Sequence, residues 1–480
     1  MLEVSRLTVL PLLQTAAERL VEARAGLDIP IAERLIGLLG IATMLGLAVL
    51  LSYDRKAINW KLVASGLGLQ AVFGVLVLKT TAGQWIFLKI GHFVTSLLGF
   101  QEQGARFVFG NLVQSTVPVT TADGTVAGGA AMVAQTGSYF AFNVLPTIIF
   151  FSSLMSVLYY LGVMQVIVKA LAWVMQKTLK TSGAETLSAS GNIFLGQTEA
   201  PLLIKPFVGS MTRSELNTVM VGGFATVAGG VLAAYVGMLS GWFPGIASHL
   251  LAASVMNAPA GLILSKIILP ERDVPVTLAG IPDAVDDDAT AARPSRWKFL
   301  RFGRGTKDSS VIEAAANGAG QGVQLAINVG AMLMAFIALV ALLNAVLGWS
   351  GGLIGFPDLS LQGILGTVLR PLAWVMGVPW QDTAYVGSLI GIKATLNEFV
   401  AYAQFGSDLA SGIVLAPRSA IILTYALLGF ANFSSIAIQI GGIGGLAPER
   451  KSDIAALGLR AMIAGNLAAF MSASLAGMLV

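Results

Sequence analysis

The 480-residue chain contains no cysteine and only two histidines, His92 and His249. Disulfide frameworks, thiolate metal sites and cysteine nucleophiles are therefore excluded, and two histidines are too few for a histidine-rich metal centre. Charge is also scarce, because charged residues make up 11% of the chain, whereas a soluble domain carries roughly 25%. With so little charge, most of the surface of this protein cannot face water.

Long uncharged runs take the place of the missing charge. Hydrophobic residues make up 55% of the chain and the mean hydropathy is +0.79. An α-helix crosses a bilayer with about 20 apolar residues, and the short alternating segments of a membrane β-barrel are absent. We therefore predict an all-α integral membrane protein with eight transmembrane helices, at 35–53, 62–78, 140–163, 216–240, 245–265, 322–347, 419–440 and 461–480.

Two further apolar segments, 181–208 and 380–405, are interrupted by glycine, proline and a few charged residues. Non-helical backbone at membrane depth is tolerated where it lines a protein cavity. These segments are predicted to be re-entrant helical hairpins, and each carries an acidic residue near its middle, Glu199 or Glu398. Residues 1–26 and 162–176 are predicted to be interfacial helices, because they carry charges among apolar residues or extend a span beyond its length.

A weak internal repeat relates the two halves of the chain. The sequence Gly-Phe-Ala-Thr at 223–226 resembles Gly-Phe-Ala-Asn at 429–432, and each follows an arginine, Arg213 or Arg418, and a hairpin candidate. Spans four and seven would enter the membrane from opposite sides. The order of elements therefore predicts an inverted repeat, an arrangement in which secondary transporters bind substrate at the midplane between broken helices.

Basic residues cluster in loops, and placing these loops in the cytoplasm puts both termini outside the plasma (inner) membrane. The net charge of +4 is explained by the same loops, so nucleic acid is not an expected partner.

The predicted organisation divides the chain into eight segments. They are an N-terminal interfacial segment at 1–30, scaffold spans one and two with an interfacial helix at 31–139, span three, an interfacial helix and the first hairpin at 140–208, spans four and five at 209–270, a cytoplasmic loop at 271–310, scaffold span six with an external amphipathic segment at 311–379, the second hairpin at 380–416, and spans seven and eight at 417–480.

The acidic residues of the hairpins are the main candidates for function. A charged residue at the bilayer centre costs roughly 2.5–3.5 kcal/mol on insertion scales, so it usually faces a cavity; the alternative is a carboxylate that caps a helix N-terminus. A carboxylate can accept from two sugar hydroxyls and would repel an anionic substrate. Amide and hydroxyl groups that could bind ring heteroatoms lie nearby in the sequence, at Gln197, Thr198, Asn397, Asn432, Ser434 and Ser435.

Several motifs in order resemble the concentrative nucleoside transporter family, and the similarity covers most of 140–480. It is carried by the segments 190–202, 222–235, 396–402 and 429–442, and by 54–60 after the first span. The resemblance implies a homotrimer in which a scaffold that includes span six surrounds a mobile transport domain. The transport domain would contain both hairpins and spans four, five, seven and eight.

The resemblance also implies roles for individual residues. Those expected to face the nucleobase are Gln197, Thr198, Glu199 and Val231, with Phe430 beside the base. Those expected to bind the ribose are Glu398, Asn432 and Ser435. Those expected to hold a sodium ion are Asn192, Leu195, Thr226 and Val227. Oxygen ligands suit such a hard cation.

Sodium-coupled symport of a nucleoside such as uridine or adenosine is the first hypothesis, and the base preference stays open. Proton coupling through a carboxylate such as Glu199 or Glu398 is an alternative. A passive channel is a second class, and it would not accumulate nucleoside against a gradient. A membrane-embedded enzyme ranks last, because the sequence has no nucleophile constellation, no phosphate-binding glycine-rich loop that ends in lysine, and no acidic metal cluster.

Overall fold

The structure is a computed structural model that describes residues 30–114, 116–118, 133–135, 140–243, 245–278 and 308–480. The predicted interfacial helix at 1–26 lies outside the described residues, as does most of the predicted loop 271–310. The described chain is mainly helical. Its α-helices are α1 Ile31–Leu50, α2 Trp60–Leu78, α3 Thr81–Phe109, α4 Phe140–Asn143, α5 Leu145–Tyr160, α6 Val163–Leu179, α7 Gly183–Gly191, α8 Arg213–Ala225, α9 Gly229–Leu239, α10 Ile246–Ile268, α11 Val311–Leu353, α12 Leu361–Val375, α13 Thr383–Thr395, α14 Glu398–Ala410, α15 Pro417–Leu427, α16 Phe433–Leu446 and α17 Lys451–Leu479.

Short elements connect these helices. The 3-10 helices are Arg55–Ala57, Gly110–Val113, Ala200–Ser210, Trp380–Asp382 and Pro448–Arg450. Two strands, β1 Thr116–Pro118 and β2 Val133–Gln135, pair antiparallel with Thr116 opposite Gln135. The all-α prediction did not include this pair, because a three-residue strand is too short to show a period in the sequence.

Seven described helical stretches are long and apolar enough to cross a membrane, judged by length and composition alone. They overlap seven of the eight predicted spans. The predicted span 419–440 is not among the seven; the chain forms two separate helices there, α15 and α16, of 11 and 14 residues. The seven stretches are Glu33–Leu50, Trp60–Leu78, Phe140–Tyr160, Arg213–Leu239, Ile246–Ile268, Val311–Leu353 and Pro448–Leu479.

Burial separates these stretches into an inner group, which is Arg213–Leu239, Ile246–Ile268 and Pro448–Leu479, and an outer group, which is the other four. The most apolar parts of Arg213–Leu239 and Ile246–Ile268 are 89% buried, whereas that of Val311–Leu353 is only 18% buried. Helix α11 packs on α5 through small residues: a Cβ at Gly322 would stand 2.6 Å from the Cα of Ile149. Along its length α11 keeps large apolar side chains exposed, as expected where lipid or another apolar surface replaces water.

The stretch 213–239 is broken between α8 and α9, and the predicted span 419–440 is broken between α15 and α16. Thr226 and Asn432 both have extended backbone at these breaks. The breaks touch each other, because the N–H of Phe430 donates to the carbonyl of Thr226 at 3.3 Å. Gly429 makes this approach possible: its φ is +112°, and a Cβ there would lie 2.6 Å from the carbonyl oxygen of Phe224.

An asparagine on the helix that follows each broken span satisfies one carbonyl of the break. Asn257 of α10 donates to the carbonyl of Ala225 at 2.7 Å, and Asn466 of α17 donates to that of Ala431 at 2.8 Å. In a bilayer such carbonyls have no water to bond, so an internal donor is required. Ala225 and Ala431 are the third residues of the two similar tetrapeptides, and they therefore share the same kind of partner.

Each predicted hairpin begins with a side-chain bond to the span that follows it. Helix α7 starts at Ser182, whose hydroxyl donates to Glu215 of α8 at 2.5 Å. In the second half Ser419 of α15 donates to Asp382, just before α13, also at 2.5 Å. Helices α13 and α14 are separated at Asn397, whose side chain caps α14 by accepting from the N–H of Val400.

We expect Gly429→Ala to destabilise the protein strongly, since it combines a backbone conformation that disfavours side chains, at roughly 1–2 kcal/mol, with a clash against backbone atoms of α8. Gly412 is the control, because its φ is +92° but a Cβ there would meet nothing within 4 Å. Thermal melting of the purified variants measures both losses. A loss at Gly429 no larger than that at Gly412 would contradict the close contact between the two breaks.

Candidate functional site

The carboxylate of Glu398 lies at the start of α14 and is only 4% exposed. Its Oε1 accepts from the hydroxyl of Tyr235 at 3.1 Å. Its Oε2 accepts from the amide Nδ2 of Asn432 at 2.8 Å. Helices α9 and α16 thus each supply one donor to this carboxylate. Since a carboxylate has about four lone-pair positions, it can accept further hydrogen bonds from a ligand.

Asn432 is the N-cap of α16 and exists in this position only because the span is broken. Its Oδ1 accepts from the N–H of Ser435 at 3.0 Å and from the hydroxyl of Ser434 at 2.7 Å. The amide therefore bonds the start of α16 with its oxygen and Glu398 with its nitrogen. This arrangement fixes the orientation of the amide and directs a donor at the carboxylate.

Gln197 connects the first predicted hairpin to the same helix. Its Nε2 donates to the hydroxyl of Ser435 at 3.2 Å, and its Oε1 accepts from Gln439 at 3.1 Å. Gln439 also donates to the carbonyl of Met220 on α8. A continuous hydrogen-bonded path, which we call the polar path, follows from these contacts. Its members are Gln197, Ser435, Asn432, Glu398 and Tyr235.

The remaining residues predicted to bind substrate surround the polar path or lie apart from it. Thr198 lies against α16, since a Cβ at Gly442 would stand 2.6 Å from its Cγ2. Val231 is buried on α9, and Phe430 is partly buried in the second break. Glu199 does not join the path: its side chain is exposed, and its Oε2 accepts from the N–H of Gly196 at 3.1 Å. Its role at the base stays a prediction.

Two of the residues predicted to hold a cation, Asn192 and Thr226, both lie beside Gly222 near the first break. Asn192 ends α7 and is fully buried, yet neither its Oδ1 nor its Nδ2 has a hydrogen-bond partner among the described residues. An unpaired buried polar group costs about 1–3 kcal/mol, which a bound cation would offset. Its Nδ2 lies 3.1 Å from the place of a Cβ at Gly222, whose carbonyl accepts from Thr226 at 2.8 Å.

Leu195 and Val227 are also buried, and their apolar side chains leave only backbone carbonyls as ligands; their role at the ion stays a prediction. The four predicted residues offer one side-chain amide oxygen, one hydroxyl oxygen and backbone carbonyl oxygens. Oxygen ligands of this kind suit a hard cation such as Na⁺. Within the described ranges there is no group of three or more histidine, aspartate or glutamate residues that could hold a metal ion.

Sequence reasoning missed three residues of the site: Tyr235, Gln439 and Lys393. Tyr235 and Gln439 lie inside uncharged runs, where a single polar side chain was no signal by itself. Lys393 is fully buried in α13, and its Nζ donates to two backbone carbonyls near the end of α15. It is the only charged residue between Asp382 and Glu398, and this isolation was the signal available.

Family models match most of the chain. The model described as "Na+ dependent nucleoside transporter C-terminus" matches residues 249–477, and its N-terminal counterpart matches 39–112. A third model, "Nucleoside recognition", matches residues 141–242. The chain belongs to the concentrative nucleoside transporter family. The family predicted from the sequence motifs is thereby confirmed, and the protein is a transporter, not an enzyme.

Relatives of this family member align along nearly its whole length. An uncharacterized transporter of Haemophilus influenzae is 43% identical over 93% of this chain and 98% of its own. Sodium/nucleoside cotransporter 1 of Mus musculus is 40% identical over 93% of this chain and 64% of its own. The solved structure of CNTnw in an inward-facing substrate-bound state has 42% identity and a TM-score of 0.78, and covers 94% of this chain and 98% of its own.

We expect Tyr235→Phe to destabilise the transporter by about 1.5–3 kcal/mol, because it removes a hydrogen bond to a charged group. Tyr402→Phe is the matched control. Tyr402 is equally buried, stacks on Tyr235 with 4.1 Å between ring centroids, and donates only to the neutral carbonyl of Thr424. Thermal melting compares the two; an equal or smaller loss for Tyr235 would show that Glu398 does not depend on this donor.

Proposed function

We propose that this protein is a symporter that couples the entry of nucleosides into the cell to a cation, sodium, by alternating access of a mobile transport domain. The observation that carries the proposal is the buried carboxylate of Glu398, bonded between Tyr235 and Asn432. The family descriptions name Na⁺-dependent nucleoside transporters, and the mouse relative is named a sodium/nucleoside cotransporter. Proton coupling has no support among these relatives.

The polar path suits the two chemically different ends of a nucleoside. Glu398 accepts from the vicinal ribose hydroxyls, with Asn432 and Ser435 beside it. Gln197 and Thr198 face the base, because an amide offers both a donor and an acceptor to ring heteroatoms. Residues at the margin of this path complete the proposed base site: Glu199, Val231 and Phe430.

Sodium is assigned to the first break, with the side chains of Asn192 and Thr226 and the carbonyls of Leu195 and Val227 as ligands. The unpartnered amide of Asn192 supports this assignment. The carbonyl of Thr226 also accepts from the N–H of Phe430. Because Thr226 belongs to the proposed ion site and Phe430 to the proposed base site, this hydrogen bond connects the two sites directly. A cation bound there would stabilise the geometry that the nucleoside needs.

The proposed architecture has eight spans, two re-entrant hairpins and an inverted repeat, with both termini outside the plasma (inner) membrane. The equivalent bonds of Asn257 and Asn466 support the repeat. The inner group of buried helices would form the transport domain, and α11 with the outer group would form the scaffold of a homotrimer. The domain boundaries predicted from the sequence remain part of this proposal.

Uptake of labelled uridine and adenosine into proteoliposomes, with Na⁺ and pH gradients imposed separately, tests the coupling. We expect accumulation with an inward Na⁺ gradient alone. Accumulation driven only by the pH gradient would show that protons are the coupling ion. Uptake that responds to neither gradient would identify a passive channel.

We expect Asn192→Ala to raise the Na⁺ concentration for half-maximal uptake at least about tenfold, the factor that about 1.4 kcal/mol of lost ligation produces. The control is Asn217→Ala, because Asn217 is also buried but donates to Ser265 away from the break. An unchanged sodium response in the Asn192 variant would remove this residue from the ion site.

We expect Glu398→Gln to weaken uridine binding at least about tenfold, because each hydrogen bond to a charged group contributes about 1.5–3 kcal/mol. The variant keeps the size of the side chain and one acceptor. Glu102→Gln, an exposed carboxylate on α3, is the control. Isothermal titration of the purified protein measures the affinity, and wild-type affinity in the Glu398 variant would contradict the ribose assignment.

A further inference from the structure

Lys393 is a buried lysine whose Nζ bonds backbone carbonyls. Its side chain is 0% exposed, and its Nζ donates to the carbonyl of Ala426 at 2.8 Å and to that of Leu428 at 3.1 Å. The ring of Phe470 lies with its centroid 5.6 Å from the same nitrogen. The ion pairs found in the described chain do not include Lys393. A buried charge without a carboxylate at contact distance is costly, so its position requires an explanation.

Two helix C-termini meet at this ammonium. Lys393 lies in the last turn of α13, and the two carbonyls that it bonds belong to the end of α15 and the break that follows. The C-terminus of a helix carries a partial negative charge that attracts cations. Lys393 therefore places its Nζ at the end of α15, while its own backbone lies in the last turn of α13.

The corresponding junction in the first half has no such charge. Leu428 precedes the second Gly-Phe-Ala sequence, just as Gly222 precedes the first. Asn192 follows the last turn of α7, and its unpartnered amide lies beside Gly222. The same meeting of two helix C-termini thus contains a neutral amide in the first half and an ammonium in the second.

We propose that Lys393 is a tethered cation that takes, at the second break, the place that the proposed sodium ion takes at the first, and that its charge keeps Glu398 ionised for the ribose. Lys393 is a positioning residue, since it acts on the ligand only through Glu398. The second break then needs no coupling ion of its own. This inference rests on the proposed nucleoside site.

The surroundings of Glu398 support an electrostatic role for Lys393. Lys393 lies in the last turn of α13 and Glu398 begins α14. Lys393 bonds the carbonyl of Leu428, and Asn432 of the same break bonds Glu398. Tyr235 of α9 donates to this carboxylate, and Tyr402 of α14 stacks on Tyr235. Both tyrosines are neutral donors, so Lys393 is the cation of this set. Among the described residues, the side chains that bond this carboxylate are the neutral Tyr235 and Asn432, and a buried carboxylate without a compensating cation is strongly destabilising.

A double-mutant cycle on thermal stability tests the charge interaction without any substrate. We expect Lys393→Met to lower the Tm of the purified full-length protein, and Glu398→Gln to restore part of that loss, because it removes the uncompensated charge. Lys393→Gln, which keeps a donor for the carbonyls, should be rescued in the same way. If the Tm loss of each Lys393 variant simply adds to that of Glu398→Gln, for Lys393→Met and for Lys393→Gln alike, the inference is overturned.

Lys266 provides the matched control for this cycle. It is a second buried lysine, but its Nζ is ion-paired with Glu185 at 2.8 Å and with Glu271 at 3.0 Å. We expect Lys266→Met and Glu398→Gln to lower the Tm independently. If the Tm of the double variant of Lys266 and Glu398 departs from additivity as much as that of Lys393 and Glu398, the effect is not specific to Lys393. This result too would overturn the inference.

The pH profile of uridine binding tests the same charge at the proposed site. In Lys393→Gln we expect the pH at which half of the affinity is lost to move up by about one unit, so that affinity falls by up to about tenfold below that pH and recovers at higher pH. Lys393→Arg should keep the wild-type profile. A loss that is equal at every pH would indicate a structural role and contradict the proposal. If the wild type binds neither uridine nor adenosine, the proposed function fails, while the melting cycle still decides the role of Lys393.

Discussion

The structure depends on the satisfaction of backbone polar groups where two spans are interrupted inside an apolar environment. Both interruptions lie against each other, and Gly429 allows their backbones to approach within contact distance. Asn257 and Asn466 then supply a donor to each interruption from the helix that follows it. In hydrocarbon, an open helix end without such donors would cost several kcal/mol for each unsatisfied group. Function at this site is therefore possible only because packing around it removes that cost.

The same interruption creates the polar path. Asn432 can cap α16 and bond Glu398 because the chain stops being helical just before it. Gln197 can bond Ser435 because the first turn of α16 lies next to the first hairpin region. Tyr235 comes from the helix that begins after the other interruption. Groups from both halves of the chain thus converge on one carboxylate. A sub-ångström shift at the contact between Thr226 and Phe430 would change the geometry of both the proposed ion site and the proposed base site.

The membrane character, the family and seven of the eight predicted spans could be obtained from composition, long uncharged runs and motifs. The division of 419–440 into two helices could not, because hydropathy averages over residues, whereas the division depends on the φ of Gly429 and on a bond from Asn466. The acidic residues Glu199 and Glu398 had equal weight in the sequence, yet only Glu398 is buried and bonded by other elements. That difference arises from tertiary packing. Lys393 was overlooked because its partners are backbone carbonyls, which carry no sequence signature.

The length of helix α11 affects how the protein adapts to the thickness of the bilayer. With 43 residues and a rise of 1.5 Å per residue, it is about 65 Å long, roughly twice the thickness of the hydrocarbon core. The half-helices at the breaks have 11 to 14 residues and none matches that thickness. Hydrophobic mismatch would therefore be absorbed by tilt of the long outer helix. The polar path around Glu398 would keep its geometry in membranes built from shorter or longer acyl chains.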